Sequence, residues 1–261
     1  MILLSCATLC AEGFTYQGFD RTFELLPAAG YRFVEFNLWH APALVPSRVA
    51  DLARRCTDAG LRASSVHALA LGGASVDEFA KEVAYKIRMM QIARDLGCSM
   101  LSATGYPRGA AGGLDRIVEI LRELMPVAED MGLQVSLENH KNNNLEFIED
   151  YERIFDAVPS ASLGCCIDTG HFDASAVDMD ALIDRIGPKV NHIHVKENKG
   201  VGVQQFTRFG EGTTDNHHIV RRMMQIGYQG FVVVEISPQK DRPNSVEDLR
   251  KPVEMFAEFA K

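Results

Sequence analysis

The amino-acid sequence predicts an α/β protein built as a single (β/α)8 barrel of the TIM type, and three observations lead to that prediction. Short apolar or β-branched runs alternate with amphipathic segments along the chain. A glycine precedes most of these runs, as expected where a helix ends in the left-handed conformation before a strand. The length of 261 residues accommodates eight β–α units of about thirty residues, the usual size of such a barrel. We therefore predict one domain over residues 1–261.

Eight strand candidates follow one another, and helical segments separate them. The strands start near Ile2, Arg32, Leu61, Ser99, Leu133, Ser162, Val190 and Phe231. The glycines at the predicted helix-to-strand junctions are Gly30, Gly60, Gly97, Gly132, Gly187 and Gly227 with Gly230. The helical segments carry apolar residues on one face, as in Phe79, Val83 and Ile87. A doubly wound sheet is the alternative, but no GxGxxG motif follows the first strand and no P-loop occurs.

Composition excludes several classes of function. The formal net charge of −8 and the absence of a Lys/Arg run disfavour a nucleic-acid partner, whose affinity depends on clustered cations. No apolar run approaches the roughly 20 residues that a bilayer requires. The segment 1–10 lacks a basic start, which favours a buried strand over a signal peptide. Six cysteines without a CxxC pair indicate reduced thiols and a cytoplasmic protein.

Charged side chains follow the last four predicted strands. In a barrel of this type, the carboxyl ends of the strands form the face that carries the active site. The fifth strand ends at Glu138, the sixth at Asp168 and the eighth at Glu235. The seventh strand places His192, His194 and Lys196 on one face because side chains alternate along a strand. A single carboxylate there could simply cap a helix, but four such positions on consecutive strands favour a shared site.

Three carboxylates at one barrel mouth would repel each other without a counter-charge. A divalent cation offsets that repulsion, and three carboxylates with one imidazole form a hard, oxygen-rich set of ligands. Such a set favours Mn²⁺, Mg²⁺ or Co²⁺, and leaves Zn²⁺ as a less favoured alternative in the absence of thiolates. The sequence therefore predicts one divalent metal ion.

The chain resembles the xylose isomerase-like TIM-barrel superfamily, in particular its sugar isomerase/epimerase branch, which includes the ketose 3-epimerases. The motifs that carry the resemblance are SLENH, IDTGH, HIHVKE and VVVEIS, and they extend it over essentially the full length. The resemblance implies that the metal ligands are Glu138, Asp168, His194 and Glu235. It also implies that His171 touches a substrate oxygen.

The resemblance further implies the reaction. Glu138 and Glu235 would act as the acid and base pair in a divalent-metal-dependent isomerase or epimerase of a small sugar or polyhydroxy carbonyl compound. The metal would stabilise an enediolate, formed when one carboxylate removes the proton beside the carbonyl. Return of that proton from the opposite face would invert a carbon. Its delivery to the neighbouring carbon would interconvert aldose and ketose.

Further candidates surround this predicted site. Lys196 is predicted to reach the substrate, and a salt bridge at the barrel rim is the alternative. His67, which ends the third strand, is also predicted to reach the substrate. His192 is expected one layer deeper than His194, as a hydrogen-bonding partner. The weaker candidates near the second strand and in the loop 199–216 are Glu35, His40, Trp39 and Arg208. The loop leaves open the binding of a phosphate or carboxylate.

Two positions depart from the ketose 3-epimerase pattern. Asn144 stands where a second glutamate is usual, and Gly200 stands where an arginine is usual. The substrate contacts of those enzymes therefore do not carry over to this chain. Lys141 and the asparagines 142–144 are the alternative contacts to an acidic or polyol substrate.

Three other functions remain in competition. A metal-dependent dehydratase of the same superfamily, acting on an inosose or a dehydroshikimate-like compound, would begin with the same proton abstraction. An endonuclease IV-like DNA repair enzyme would need more histidine ligands and a basic groove, which the net charge opposes. A non-catalytic sugar-binding barrel would show no turnover. The resemblance also leaves a homo-oligomer open.

Overall fold

The computed structural model describes residues 1–14, 18–72, 76–237 and 242–260. Eight parallel strands close into a barrel in the order β1-β2-β3-β4-β5-β6-β7-β10. Each barrel strand begins within one residue of its predicted start, so the predicted TIM barrel is confirmed. These strands are β1 Leu3–Ala7, β2 Phe33–Asn37, β3 Arg62–Ala70, β4 Met100–Thr104, β5 Gln134–Glu138, β6 Leu163–Asp168, β7 Val190–Val195 and β10 Phe231–Val234.

Helices connect the strands and cover the outside of the barrel. The helices are α1 Leu9–Glu12, α2 Asp20–Ala29, α3 Pro46–Ala59, α4 Val76–Asp95, α5 Gly113–Met131, α6 Ile148–Ala157, α7 Thr169–Ala174, α8 Met179–Ile186, α9 Asn216–Gln225 and α10 Val246–Met255. Two 3₁₀ turns lie at Ala41–Leu44 and Gly187–Lys189. Among the helical residues described, no helix combines the length and the apolarity that a membrane crossing requires.

The predicted left-handed glycines are confirmed except at Gly187 and Gly230. Gly30, Gly60, Gly97, Gly132 and Gly227 all have a positive φ. Gly187 has a φ of −50° and a ψ of −40°, so the prediction of a left-handed glycine is wrong there. The chain continues from α8 into a 3₁₀ turn at this point. A Cβ atom on Gly187 would lie 2.6 Å from Cδ1 of Ile226, so close packing explains the glycine.

The loop after β7 contains a short antiparallel hairpin that the sequence did not predict. It consists of β8, Glu197–Asn198, and β9, Phe206–Thr207. Strands of two residues have no measurable periodicity, which is why the pattern shows only a loop. The hairpin places Phe206 over the carboxyl end of the barrel, where it lines the pocket described below.

Polar side chains occupy part of the barrel interior. The Ser5 and Ser64 hydroxyls lie 2.8 Å apart, and Ser64 and Ser65 lie 3.1 Å apart. The Ser65 hydroxyl donates to Oε2 of Glu35 at 2.7 Å. This layer continues into the candidate site. All six cysteines are buried and free of disulfide bonds, as predicted for reduced thiols.

Candidate metal centre and active site

Four ionisable side chains converge at the carboxyl ends of four barrel strands. They are Glu138 on β5, Asp168 on β6, His194 on β7 and Glu235 directly after β10. One potential ligand atom from each lies within 4.8 Å of the others, and all four residues are buried. Parallel strands end at the same edge of the barrel, which brings residues from distant parts of the chain together.

The start of α7 and the neighbouring Asn139 fix the position of Asp168. Asp168 is the N-cap of α7, and its Oδ1 accepts a hydrogen bond from the His171 backbone N–H at 2.9 Å. Asn139 accepts from the Asp168 N–H at 2.7 Å and donates to its carbonyl oxygen at 3.0 Å. A Cβ atom on Gly170 would lie 2.9 Å from Cγ of Lys196, so glycine is needed there to admit the lysine side chain.

Two imidazoles hold Glu138. Its Oε2 lies 2.7 Å from Nε2 of His67, and its Oε1 lies 2.8 Å from Nδ1 of His194. Burial opposes the ionisation of Glu138, but His194 and His67 hold its pKa well below the ordinary value. The indole N–H of Trp39 donates to Nδ1 of His67 at 2.8 Å. Because the indole can only donate, Nδ1 of His67 accepts, and Nε2 carries the proton directed at Glu138.

Lys196 lies between two of the carboxylates. Its Nζ is 2.7 Å from Oδ2 of Asp168 and 2.6 Å from Oε2 of Glu235. Burial disfavours the ammonium, but Asp168 and Glu235 outweigh that cost and raise the pKa of Lys196 above its ordinary value. The salt bridge expected as the alternative therefore forms, and it lies in the buried cluster rather than at the rim.

A second layer lies beneath His194. Nε2 of His194 is 3.1 Å from Oε1 of Glu35, and Nε2 of His192 is 2.9 Å from Oε2 of the same residue. Burial alone would raise the pKa of Glu35, but His194 and His192 hold it well below the ordinary value. The prediction that His192 is a deeper hydrogen-bonding partner is confirmed. Glu35 is fully buried and belongs to this layer, not to the end of β2 that faces substrate.

A pocket of about 390 Å³ opens directly above the cluster. Glu138 and Glu235 form part of its floor, whereas Asp168 and His194 are fully buried beneath. Phe14 and Trp39 stack on one side with ring centroids 5.9 Å apart and an interplanar angle of 9°. The lining residues are Leu9, Phe14, Trp39, His67, Leu69, Thr104, Glu138, His140, His171, Lys196, Phe206, Glu235 and Ser237.

His171 lines this pocket as a neutral imidazole. Its ring stacks on His140 with centroids 3.8 Å apart and meets the edge of Phe206 at 4.6 Å. Burial, Lys196 and His140 hold the pKa of His171 well below its ordinary value. The backbone N–H of Lys141 points at Nδ1 of His171 at 3.4 Å, which leaves Nε2 as the hydrogen-bond donor of the ring.

Comparison with known proteins identifies the architecture and its relatives. The family model for the xylose isomerase-like TIM barrel matches residues 23–258. The chain belongs to this family.

Sequence relatives of this xylose isomerase-like chain match about half of their own length. An uncharacterized protein of Methanocaldococcus jannaschii is 26% identical over 157 residues, which cover 56% of the chain and 51% of the relative. An inosose dehydratase of Yersinia enterocolitica is 28% identical over 139 residues, covering 46% of each protein.

Solved structures of the same fold match over nearly the whole chain. The IOLI protein with a bound zinc atom has a TM-score of 0.83 at 18% identity, covering 99% of both chains. A D-tagatose 3-epimerase-like protein has a TM-score of 0.82 at 18% identity, covering 98% of this chain and 96% of its own. At this level of identity the likeness concerns the fold.

The donor set of this xylose isomerase-like barrel fits a divalent cation. Three buried carboxylates and one imidazole lie together, and among the described residues the buried Lys196 ammonium contacts two of the carboxylates. Burial and the repulsion from Glu235 and Glu138 raise the pKa of Asp168 to about 6, although Lys196 opposes that rise. Once His194 has lost its proton, the carboxylates of the cluster outnumber the Lys196 ammonium, and an oxygen-rich site of this kind suits a divalent cation.

Metal affinity is expected to rise with pH. Binding requires Asp168 as a carboxylate and Nδ1 of His194 without its proton. Burial lowers the pKa of His194, but Cys166, Glu35 and Glu138 outweigh it and raise the pKa well above its ordinary value. The association constant for Mn²⁺ should therefore rise about a hundredfold per pH unit below the Asp168 pKa of about 6, and about tenfold per unit just above it.

Isothermal titration calorimetry between pH 5 and pH 8 tests this expectation, and an affinity independent of pH would contradict it.

The raised pKa of Asp168 has the opposite effect on the metal-free protein: its contribution to folding stability decreases as pH rises, whereas the metal affinity increases. Because folded Asp168 holds its proton more tightly than the unfolded chain does, this contribution to stability is complete below the unfolded pKa of 3.8 and is lost as pH rises through about 6.

The predicted contacts from the segment 141–144 do not point to a substrate. The Lys141 ammonium donates to the carbonyl oxygens of Ala174 and Gly202. Oδ1 of Asn144 accepts from the Tyr106 N–H at 2.9 Å, and the Asn143 amide donates to the Gly105 carbonyl oxygen at 2.6 Å. Asn143 and Asn144 thus hold the loop after β4, whereas Lys141 joins the end of α7 to the segment around Gly202, so these three side chains are engaged within the protein and the structure gives no support for their contact with a substrate.

The cations of the loop 199–216 are also engaged within the protein. The Lys199 ammonium donates to the Glu211 carbonyl oxygen at 2.7 Å. Nε of Arg208 lies 2.8 Å from Oδ1 of Asp248, and its Nη2 donates to the Arg242 carbonyl oxygen at 3.0 Å. His40, which follows β2, is engaged in a similar way, because its Nε2 lies 3.1 Å from the Phe14 carbonyl oxygen. Lys199, Arg208 and His40 are not among the pocket-lining residues.

Several residues of the site were not found from the sequence. Leu9, Phe14, Leu69, Thr104 and Phe206 line the pocket without belonging to a motif. They lie in or beside connecting segments, whose course depends on tertiary packing. The serines of the interior layer could have been noticed in the sequence, because Ser5, Ser64 and Ser65 interrupt otherwise apolar strands.

Proposed function

We propose that this protein is a divalent-metal-dependent isomerase or epimerase of a small sugar or related polyhydroxy carbonyl compound. The observation that carries the proposal is the cluster of Glu138, Asp168, His194 and Glu235, with ligand atoms within 4.8 Å of one another beneath an open pocket. Two of its glutamates lie on the pocket floor, where a bound substrate can exchange a proton with them.

The four cluster residues would hold the metal. The metal supplies Lewis-acid polarisation of a carbonyl group, which lowers the pKa of the neighbouring C–H. The protein supplies the base, the acid and the groups that fix the substrate. A pocket lined by aromatic rings and a few polar groups is the usual environment for such a ligand.

Glu138 and Glu235 would move the proton. They stand at the carboxyl ends of β5 and β10, strands that are separated in the barrel by β6 and β7. One carboxylate removes the proton beside the carbonyl, which leaves an enediolate, and the other returns a proton to the opposite face. Return to the adjacent carbon instead gives the aldose–ketose isomer. His67 and His194 hold Glu138, whereas Lys196 holds Glu235, so the two carboxylates enter the reaction in different environments.

His171 and Lys196 are proposed to contact substrate oxygens. His171 is a neutral donor on the pocket wall, suited to a hydroxyl or carbonyl oxygen. The Lys196 ammonium offsets negative charge that develops on the substrate. His67 also lines the pocket, but both of its ring nitrogens bond to protein groups. We therefore propose that it affects the substrate through Glu138.

A dehydratase is the second candidate, and Lys196 is the observation that favours it. After the same proton abstraction, a β-hydroxyl leaves with a proton as water and a carbon–carbon double bond forms. The buried ammonium beside Glu235 provides a positive charge that stabilises negative charge developing on the oxygen of that leaving group. The inosose dehydratase among the relatives supports this alternative, although the match covers only 46% of each protein.

A substrate screen in deuterated water with Mn²⁺ tests the proposal. The panel contains D-tagatose, D-fructose, scyllo-inosose and 3-dehydroshikimate, with a chelator-treated sample as the control. Deuterium uptake with appearance of an epimer or isomer supports the primary proposal. Loss of water with a new enone absorbance identifies the dehydratase. Absence of both, in protein that calorimetry shows to bind Mn²⁺, would contradict the proposed acid–base chemistry on this class of compounds.

A further inference from the structure

Strand β3 carries an irregularity where it meets the pocket. Its pairing with β4 matches His67 with Ser102 and then Ala70 with Thr104. Three steps along β3 therefore correspond to two along β4, so β3 contains one extra residue, a β-bulge. Leu69, inside this bulge, has a φ of +53°. That conformation is strained for a bulky residue and needs support from its surroundings.

A buried lysine supplies that support. Lys86 on α4 is 1% exposed, and its ammonium donates to the carbonyl oxygens of Ala68 and Ala70, the latter at 2.8 Å. Oε1 of Glu82, one turn earlier on α4, lies 3.0 Å from the same nitrogen. The ammonium thus donates to two carbonyl oxygens that flank Leu69 and forms an ion pair with the Glu82 carboxylate. Burying an ammonium is costly unless it is paired in this way.

The bulge also shapes the pocket. Leu69 is 41% exposed and lines the pocket together with His67 and Thr104. A regular continuation of β3 would lack the extra residue and would shift the side chains after His67 to the other face. The position of Leu69 on the pocket wall therefore depends on the bulge.

We propose that Lys86 is a positioning residue: it clamps the carbonyl groups on both sides of Leu69, holds the bulge, and so keeps Leu69 in the wall that determines which substrates fit. That Lys86 holds the bulge follows from the contacts described above. That Leu69 determines which substrates fit rests on the proposed function.

A double-mutant cycle in the metal-free protein tests the clamp. Lys86→Met should lower the melting temperature by about 5–10 °C, because it leaves buried oxygens without their donor and removes the contacts that hold Leu69 at a positive φ. Leu69→Gly should cost little, since glycine adopts a positive φ without strain. In the Leu69→Gly background, Lys86→Met should cost at most about half as many degrees. Lys81→Met, an exposed lysine on the same helix, is the control and should change the melting temperature by about 1 °C or less.

Kinetics distinguish positioning from a general loss of stability. For deuterium exchange into D-tagatose and scyllo-inosose, Lys86→Met should raise KM about tenfold and leave kcat within about threefold, because the metal ligands are untouched. Equal melting-temperature losses in both backgrounds, or a fall in kcat at unchanged KM, would overturn the inference. If the wild type exchanges neither compound, the proposed function fails for them, and the melting-temperature cycle still decides whether Lys86 clamps the bulge.

Discussion

Glu235→Gln should lower turnover at least about a thousandfold while the protein remains folded. The amide keeps the size of the side chain but cannot accept a proton from carbon, and it offers the metal a weaker ligand. It also replaces the anion that lies 2.6 Å from Nζ of Lys196. The measurement is the rate of deuterium exchange into substrate, with melting temperature and Mn²⁺ affinity recorded on the same samples.

Glu254→Gln provides the matched control for this substitution. Glu254 is exposed on α10, so the same chemical change should leave the exchange rate within about twofold of the wild type. Full activity in Glu235→Gln would contradict the assignment of Glu235 to proton transfer. A loss of activity explained entirely by failure to bind Mn²⁺ would restrict Glu235 to the role of a ligand.

Lys196→Met should destabilise the metal-free protein and strengthen its binding of Mn²⁺. Removal of one partner from a buried ion pair costs about 3–5 kcal/mol. For a chain of this size that corresponds to a fall in melting temperature of roughly 6–20 °C. Asp168 and Glu235 would lose the cation that now lies 2.7 and 2.6 Å away. A divalent ion would then meet no competing ammonium, so saturating Mn²⁺ should raise the melting temperature more in the variant than in the wild type.

Lys189→Met is the control for Lys196→Met. Lys189 is exposed and comes directly before the first residue of β7, at the end of the strand away from the site. It should change neither the melting temperature nor the Mn²⁺ affinity appreciably. Differential scanning calorimetry with and without Mn²⁺, together with titration calorimetry, measures both quantities. An unchanged melting temperature of metal-free Lys196→Met, or weaker Mn²⁺ binding, would contradict the competition between Lys196 and the metal.

The eight barrel strands were predictable because each is a short apolar run bounded by a helix end. Their starts agree with the structure to within one residue. The hairpin of β8 and β9 was not predictable, since two residues in each strand carry no periodic signal. The β3 bulge was also hidden, because the sequence RASSVHALA reads as an ordinary strand.

The meeting of Glu138, Asp168 and Glu235 at one face followed from the sequence for a topological reason, whereas the choice of His194 as the fourth member came from the family resemblance. Parallel strands of a closed barrel end on one face, so polar residues at strand ends must lie together. Which of the neighbouring polar residues join them could not be derived in that way. Lys196 enters the cluster, whereas Lys141 bonds to backbone carbonyl groups, although both lysines follow strand ends.

By itself, the sequence determined the barrel, the order of its strands and the three carboxylates that meet at its mouth, because these depend on periodicity and on a topology with few alternatives, and the family resemblance added His194. Only the tertiary structure decided that Lys196 pairs with two carboxylates, that Trp39 orients His67, that Glu35 lies beneath His194, and that Lys86 holds the bulge at Leu69. These contacts join residues whose side chains reach across several ångströms in directions set by packing. Hydrophobic pattern records which face of an element is buried, but not which polar partner a buried group will find there.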